Sequence, residues 1–487
     1  MAHHKANAPE NSPMRRLFGR LTSPDRMSSR RAIIFIFSLA FIVRAVVLLT
    51  ARDVDYGFSA GFKLAETARN FLEGRGLAWD ARYLAALNEE AFRENPLKPK
   101  LEVFEAVPPL EPSPESLESF RGRPPGYSLV VAATWAMFGK KLFLYSQILF
   151  VLLDIAACLL IWWLTKELFG PTMALAAGVL YALSLPHATL SIFPGHDAIN
   201  AFPVAACLAF FWMGLKRNSW PLYVASGIAA GAGSWIRQEP YLMPVVLAIA
   251  LAVTGRFKEA LRYLVLAQAA AFLTVAPWGL RNADMFGKFQ IVSPAYAHNL
   301  LQGLLESDNP WGIKCDDQWV KAFVRSKGVD ALYHTPEFNK VCMDEFLRLL
   351  ELEPLFYVKR IVKRSITSLF PTIMPFEAAY TRYWRNLLGR EGVLGFFMAH
   401  PVETLAPLFY KLMWLFLWIG SCCVFLGINR ISQPKKTMIW ALAGTTLYYW
   451  TTHVPMHLEY RFILPGYFPL MILGAEGWRR MAAWKKV

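Results

Sequence analysis

Charged side chains are scarce in this chain. Only 18% of its 487 residues are Asp, Glu, Lys or Arg, whereas roughly a quarter of the residues of a soluble globular protein are charged. Acidic residues are the scarcer sign, with 36 Asp and Glu against 51 Lys and Arg. Zinc-knuckle spacing, an RNA-binding signature and a P-loop are all absent from the sequence. We therefore do not assign the basic excess to nucleic acid, and anionic lipid headgroups are the partner that it favours.

Cysteine is also rare, with six residues in the whole chain. Four of them lie inside apolar runs, where a small polarizable side chain usually packs: Cys158, Cys207, Cys422 and Cys423. Cys315 and Cys342 lie in a long polar segment. They can form a disulfide if that segment is outside the cytoplasm, but the sequence does not fix their distance.

Apolar residues, in contrast, make up 55% of the chain, and the mean hydropathy is +0.31. Residues 1–31 are polar and basic, which predicts a disordered cytoplasmic tail. The run that follows, "AIIFIFSLAFIVRAVVLL", is long enough to span a bilayer and lacks a small-residue cleavage pattern, so we expect a retained anchor. Together with later apolar segments it predicts an all-α polytopic membrane protein of about ten spans. The candidate spans are 32–50, 142–165, 172–192, 198–215, 220–236, 240–254, 261–280, 404–427, 437–452 and 462–478.

The distribution of Lys and Arg predicts the orientation of these spans. If the apolar segment Tyr127–Gly139 lies along the interface and does not cross, the short basic loops fall on the same side as the basic tail. Both termini are then cytoplasmic, and two large loops, 51–141 and 281–403, face outward. Within the second loop, Phe356–Phe370 has apolar side chains at helical spacing and predicts a basic amphipathic helix at the interface.

Carboxylates cluster in the first outward loop. Asp53 and Asp55 directly follow the first span, and Glu66 lies on a probable helix of the same loop. Paired carboxylates suit acid–base catalysis or metal ligation. The alternative is that all three are ordinary solvated acids of a loop and a helix surface.

Arginines stand at four separate helix ends on the predicted outer side: Arg123, Arg237, Arg281 and Arg461. Each alone is typical of a snorkelling or ion-paired residue, but the four together predict a cradle for a phosphate or pyrophosphate. His196 and Asp197 stand at another span entrance, in "GHDAIN". They can bind a metal or a sugar hydroxyl, but the structural role that we expect for Asp197 is to cap the helix that follows.

Four stretches carry a resemblance to a known group of enzymes: "AETARNFLEGRGL", "RPPGYSLVVAATWAMFG", "APWGLRNADMFGKFQIVSPAYAHNLLQG" and "EYRFILPGYFPLMILGA". With them the chain resembles the bacterial polyprenyl-phosphate-dependent glycosyltransferases of the GT-C superfamily, which includes protein O-mannosyltransferases and lipid A aminoarabinose transferases. The resemblance implies a GT-C-like helical bundle with interfacial helices in the bacterial inner membrane. It also implies transfer of a hexosyl or pentosyl group from a polyprenyl-phosphate donor to an envelope glycan, lipid or protein on the outer face.

The resemblance further implies that a first-loop carboxylate is the catalytic base, with Asp55 the first choice, Asp53 the second and Glu66 the third. The expected substrate-binding residues are Arg123, His196, Asp197, Arg237, Arg281 and Arg461. Many relatives carry an acid in the first loop where this chain has Gly61 and Lys63. Relatives in the aminoarabinose group carry an acid just before the position of Arg123, where this chain has Arg121 and Gly122. We therefore assign no metal ligands and no cofactor, although a divalent metal is possible.

These expectations divide the chain into four parts: the tail 1–31, a transmembrane glycosyltransferase module 32–280, an extracytoplasmic segment 281–403 with interfacial helices, and C-terminal transmembrane helices 404–487. The alternative function is a polytopic transporter or lipid flippase, which would place ionisable residues near the bilayer midplane. The predicted spans hold few such residues, notably Arg44, Asp154 and Lys411, and this scarcity favours an enzyme.

Overall fold

The computed structural model of the protein describes residues 29–51, 58–93, 117–119, 124–193, 195–291, 296–306, 308–313, 315–329, 335–371, 395 and 401–484. The first helices are α1 (Ser29–Ala51), α2 (Phe58–Leu72), α3 (Ala81–Phe92), α4 (Gly126–Phe138), α5 (Phe143–Phe169), α6 (Pro171–Ala182), α7 (Leu185–Ser191), α8 (Ala201–Arg217), α9 (Trp220–Ile236) and α10 (Met243–Val253). They are followed by α11 (Phe257–Phe286), α12 (Tyr296–Leu305), α13 (Asp317–Ser326), α14 (Pro336–Leu352), α15 (Pro354–Thr367), α16 (Pro401–Cys423), α17 (Gln433–His453), α18 (Tyr460–Ile463) and α19 (Phe468–Trp484).

Strands are almost absent from the described residues. A single antiparallel pair joins β1 (Ala78–Asp80) to β2 (Leu117–Ser119), both in the first predicted loop. Short 3-10 helices at His196–Ile199 and Glu239–Leu242 precede α8 and α10. The predicted all-α fold class is confirmed.

Four helices among the described residues are long and apolar enough to cross a membrane: Ser29–Thr50, Phe143–Phe169, His196–Arg217 and Phe257–Phe286. A fifth span is formed if α6 and α7, which meet at a bend of 56°, are counted together. The protein is therefore a multi-pass membrane protein. The remaining predicted spans coincide with helices that are shorter or less apolar, so the predicted count of about ten is not confirmed.

Small residues allow close helix packing in the bundle. A Cβ on Gly227 or Gly231 of α9 would strike the backbone of Ala267 or Ala271 in α11. Small residues four apart let two helices approach closely in lipid, where apolar side chains gain little by leaving the solvent. The contact holds α9 against α11 and fixes the position of Arg237, the residue that follows α9.

A pair of opposite charges is buried inside the bundle. Arg44 of α1 donates from Nε to the Asp154 carboxylate of α5 at 2.8 Å, and the Tyr181 hydroxyl donates to the same carboxylate at 2.6 Å. Arg44 also donates to the carbonyls of Tyr181 and Ala182, at the bend between α6 and α7. Carbonyls at a helix end lack an intrahelical donor. Arg44 supplies hydrogen-bond donors to two carbonyls at the break between α6 and α7.

Helices α12, α13, α14 and α15 form a second unit with its own apolar core. Its buried core residues are Ala297, Leu301, Leu304, Leu305, Val320, Val324, Phe338, Cys342, Phe346 and Leu349. Cys315 packs against this core, and both it and Cys342 are free thiols. This α12–α15 unit lies within the predicted extracytoplasmic segment.

The predicted amphipathic helix in this segment is present as α15. Its apolar side chains Leu355, Val358, Val362 and Ile366 form an exposed row, whereas Arg360 and Arg364 are buried within the α12–α15 unit. The helix is thus confirmed, and its place at the membrane interface stays a prediction. The same holds for α4, the helix found at the apolar segment Tyr127–Gly139.

Candidate functional site

Three of the predicted site residues, Asp53, Asp55 and Arg123, lie outside the described residues. Their roles stay predictions. Of the remaining candidates, Asp197 contacts His196, Arg237 and Arg461, whereas Glu66 and Arg281 lie on α2 and α11.

The Asp197 carboxylate joins two guanidinium groups from distant parts of the chain. It is fully buried in the 3-10 helix His196–Ile199. Arg237, after α9, donates from Nη1 to its Oδ1, and Arg461 of α18 places Nε 3.5 Å from its Oδ2. We call the group of Asp197, Arg237, Glu239, Glu459 and Arg461 the Asp197 cluster.

Arg237 is the more buried guanidinium, with 9% of its side chain exposed. Its Nε and Nη2 donate to the Glu239 carboxylate at 2.5–3.1 Å, in addition to the contact with Asp197. His453, at the end of α17, lies with Nε2 at 3.6 Å from Glu239. Arg237 is therefore held between two carboxylates, which compensate its buried charge.

Arg461 is the more accessible guanidinium, with 21% of its side chain exposed. Its Nε lies 2.5 Å from Glu459 as well as close to Asp197, and its guanidinium stacks at 5.2 Å from the rings of Phe193 and Phe462. Within the described part of the chain both ion pairs of Arg461 are made through Nε. Its two terminal nitrogens are the donors of this cluster best placed to take a further anion, because a guanidinium binds phosphate through paired N–H groups.

His196 lies beside the cluster, with Nε2 at 3.9 Å from the Asp197 carboxylate. The expected capping role of Asp197 is wrong. The residue before α8 is Asn200, whose side chain makes no cap, while the Asp197 carboxylate is occupied by Arg237. Asn200 is itself fully buried, and neither atom of its amide group has a hydrogen-bond partner among the described residues.

Arg281 is placed on α11 among residues of its own helix. Its guanidinium stacks over Trp278 at 4.7 Å and Phe286 at 5.3 Å, and its Nη1 donates to the Asn282 side chain at 3.1 Å. The structure therefore brings Arg237 and Arg461 together through Asp197. The larger cradle of four arginines stays a prediction.

Glu66 belongs to the first-loop fold. It is buried on α2, accepts the backbone N–H of Asp80 at 2.9 Å and lies 3.7 Å from Arg69. Burial raises the pKa of Glu66 to about 7, although the Asp80 N–H and Arg69 oppose this shift. A carboxyl group that titrates near neutral pH is suited to proton transfer, so the structure keeps Glu66 as a candidate base.

Metal ligation has no support among the described residues. They contain no group of three or more His, Cys, Asp or Glu side chains arranged to hold a metal ion. The first-loop carboxylates Asp53 and Asp55, which the sequence offers as ligands, lie outside this part of the chain.

One segment of the chain, which includes three of the five residues of the Asp197 cluster, matches a known protein family. Residues 122–280 match the family model of dolichyl-phosphate-mannose-protein mannosyltransferases. This match confirms the resemblance to GT-C glycosyltransferases over the segment that contains His196, Asp197 and Arg237. No curated protein matches the sequence of the chain.

Solved structures of similar shape include the oligosaccharyltransferase AglB of Archaeoglobus fulgidus with an inhibitory peptide and a dolichol-phosphate (14% identity, TM-score 0.49, 93% of this chain and 51% of that one). Another is ArnT of Cupriavidus metallidurans bound to undecaprenyl phosphate (14% identity, TM-score 0.37, 93% and 79%). The chain thus spans about half the length of the archaeal enzyme. TM-scores below 0.5 are too low for residues to be equated between these proteins.

Arg237, Arg461 and Asp197 are among the site residues predicted from the sequence, but Glu239 and Glu459, the other two carboxylates that pair with these arginines, are not. Glu239 and Glu459 each lie two residues from their arginine, in "IRQEP" and "HLEYR". This spacing at a helix boundary is the signal that predicts a local ion pair. The link through Asp197 and the burial of Asn200 have no such signal, because they depend on how α8, α9 and α18 pack.

Proposed function

We propose that this protein is an integral-membrane glycosyltransferase that uses a polyprenyl-phosphate-linked sugar as donor. The observation that carries the proposal is the Asp197 cluster, in which one buried carboxylate holds the guanidinium groups of Arg237 and Arg461 together. The family match over 122–280 supports the same donor class, because dolichyl phosphate is a polyprenyl phosphate. The acceptor is an envelope glycan, lipid or protein.

The proposed reaction transfers the sugar in one displacement. The acceptor oxygen attacks the anomeric carbon, the bond from that carbon to the phosphate oxygen breaks, and the acceptor proton passes to a carboxylate. The polyprenyl phosphate leaves with the electron pair and an added negative charge. Arg461 stabilises that charge through its terminal nitrogens, since fixed donors aimed at developing charge lower the barrier.

Asp197 has a positioning role in this scheme. Its carboxylate is committed to two guanidiniums, which makes it a poor proton acceptor. The base therefore remains among the first-loop carboxylates, with Asp55 preferred over Asp53 and Glu66. Arg123, His196 and Arg281 complete the proposed substrate-binding set.

The proposed arrangement places the reaction on the outer face of the bacterial inner membrane, with both termini in the cytoplasm. The positive-inside distribution supports this orientation. In the corresponding division of the chain, 32–280 is the transmembrane catalytic module, 281–403 is extracytoplasmic and 404–487 closes the bundle.

The proposal is tested with the purified full chain in liposomes that contain undecaprenyl-phosphate-linked arabinose, mannose or glucose and an extract of envelope lipids and glycans. We expect cleavage of at least one donor, with the sugar appearing on an acceptor by mass spectrometry, and strongly reduced cleavage by Arg461→Ala. Lys288→Ala, which breaks an exposed ion pair with Glu337, is the matched control.

Two results contradict the proposal. One is that no donor is cleaved and undecaprenyl phosphate does not bind. The other is movement of an intact donor across the liposome membrane without cleavage, which would establish the flippase alternative.

A further inference from the structure

The segment that leads to Arg461 is held by the α12–α15 unit and not by the bundle alone. The His457 backbone N–H donates to the Asn299 carbonyl at 2.8 Å, and the Tyr357 hydroxyl donates to the Pro455 carbonyl at 2.8 Å. Gly303 packs directly on this segment, since a Cβ there would lie 2.7 Å from the His457 nitrogen. The residues Val454–Glu459 are therefore clamped before the chain enters α18.

Arg364 of α15 strengthens this clamp from inside the unit. It is buried and donates from Nη1 to the Met456 carbonyl at 2.9 Å, and from Nη2 to the Gly303 carbonyl. Its Nε donates to the Glu306 carboxylate at 2.9 Å. One guanidinium thus joins α15, the end of α12 and the segment before Arg461.

His457 connects this clamp to the Asp197 cluster. Its Nδ1 lies 2.6 Å from Glu306 Oε2, and its Nε2 lies 3.2 Å from Glu459 Oε1. The other oxygen of Glu459 lies 2.5 Å from Arg461 Nε. Both ring nitrogens face carboxylates, so an imidazolium, which carries an N–H on each nitrogen, fits this position.

We propose that His457 is a positioning residue that keeps Glu459 from occupying the phosphate-binding face of Arg461, and that the α12–α15 unit thereby controls donor binding. This inference rests on the proposed function. With one oxygen bound to His457, Glu459 meets Arg461 through the other oxygen only. A Glu459 freed from His457 can form a bidentate pair with Arg461 and compete with the donor phosphate, because that pair is the strongest geometry open to a carboxylate and a guanidinium.

The test measures the Kd of undecaprenyl phosphate for the full chain in nanodiscs. We expect His457→Gln to weaken binding about fivefold to tenfold, within the range of coupling between contacting residues. Adding Glu459→Gln to that variant should restore binding to within about twofold of the unmodified chain, because a neutral amide does not compete for Arg461. Loss of a merely structural contact would be made worse by the second substitution.

A double-mutant cycle gives the second readout. In an Arg461→Ala background His457→Gln should change the Kd by less than about twofold, because residues that act through one group are not additive. Glu306→Gln, which removes one partner of the imidazole, provides a second variant with the same expected weakening. Glu337→Gln, on an exposed ion pair of α14, is the control and should bind as the unmodified chain does.

The outcomes separate the inference from the proposed function. If the unmodified chain does not bind undecaprenyl phosphate, both are overturned. If it binds and Arg461→Ala weakens binding, but His457→Gln and Glu306→Gln leave the Kd unchanged or Glu459→Gln fails to restore it, the positioning role alone is overturned.

Discussion

Two buried groups of charges in this protein are built differently. Arg44, Asp154 and Tyr181 lie among α1, α5 and α6, and Arg44 and Asp154 are 0% and 5% exposed. Their hydrogen bonds go to one another and to carbonyls at the helix break. The Asp197 cluster instead joins helix ends, and its members Arg461 and Glu459 are 21% and 28% exposed.

Accessibility separates the structural charges of this membrane protein from the charges that can bind a ligand. A buried ion pair whose hydrogen bonds are all made within the protein leaves no donor for a ligand, and breaking it is costly because one charge then stays buried without a partner. A carboxylate shared by two guanidiniums, one of them accessible, leaves donors to bind an anion. Intramembrane charge is a sign of function by default, but Arg44 and Asp154 are explained by the break between α6 and α7.

The largest expected effect is on the proposed first-loop base, which belongs to neither group. Asp55→Asn should lower the transfer rate by roughly 100- to 10,000-fold, the usual contribution of a general base. Donor binding should be retained, because the Asp197 cluster is unchanged. The rate is measured as sugar transfer in reconstituted liposomes.

Asp53→Asn is the matched variant, two residues away in the same loop. If both Asn variants keep nearly full transfer, the first-loop aspartate mechanism is wrong. Glu66, whose pKa burial raises to about 7, is then the next residue to test.

The second prediction breaks the structural pair. Asp154→Asn leaves the Arg44 charge buried without its partner and should lower the free energy of unfolding by about 3–5 kcal/mol. The variant Arg44→Met with Asp154→Leu should recover most of this loss, since apolar replacement of a whole buried pair is often neutral. Thermal unfolding in detergent measures both.

Undecaprenyl phosphate binding by the folded fraction of these variants distinguishes the two groups. An unchanged Kd is expected. A weakened Kd would contradict the separation of structural from binding charges.

The third prediction removes the accessible guanidinium. Arg461→Ala should weaken the binding of undecaprenyl phosphate by about 10- to 100-fold, because a hydrogen bond to a charged group contributes about 1.5–3 kcal/mol. Its unfolding temperature should change little. Arg348→Ala, which removes an exposed arginine paired with Glu345, is the control, and equal Kd values for the two variants would refute a special role for Arg461.

The smallest expected effect is on stability against pH. Burial by itself lowers the pKa of His457, but Glu306 and Glu459 outweigh it and raise the pKa from 6.5 to about 9. A raised folded-state pKa gives a stabilisation that is fully present below about pH 6.5 and is lost as the pH rises through about 9. The unfolding temperature should therefore fall over this range.

His457→Gln should remove that part of the pH dependence. Charged groups near His457 among the described residues also include Asp317 of α13, and Arg364 and Arg461, which pair with its partners Glu306 and Glu459. An identical fall in the unfolding temperature of the variant and the unmodified chain would assign the effect to another group.

Much of the fold is predictable from the sequence. Helices occur at all the predicted spans, because long apolar runs bounded by Gly, Pro and charged residues leave few alternatives. The helix at Phe356–Phe370 follows from its apolar spacing in the same way. The number of spans did not follow, since several helices are short or bent and composition alone does not decide whether they cross.

Composition and local patterns are enough to predict a multi-pass helical membrane protein, its resemblance to GT-C glycosyltransferases and the positions of Arg237 and Arg461 at helix ends. These are local properties, set by composition and by spacing along the chain. Tertiary packing is needed for Asp197 to join those arginines, for Arg44 to reach the carbonyls at the break between α6 and α7, and for His457 to link the α12–α15 unit to the cluster. Each of these contacts joins residues far apart in sequence, and its partners are chosen by the packing of helices, to which single side chains then adapt.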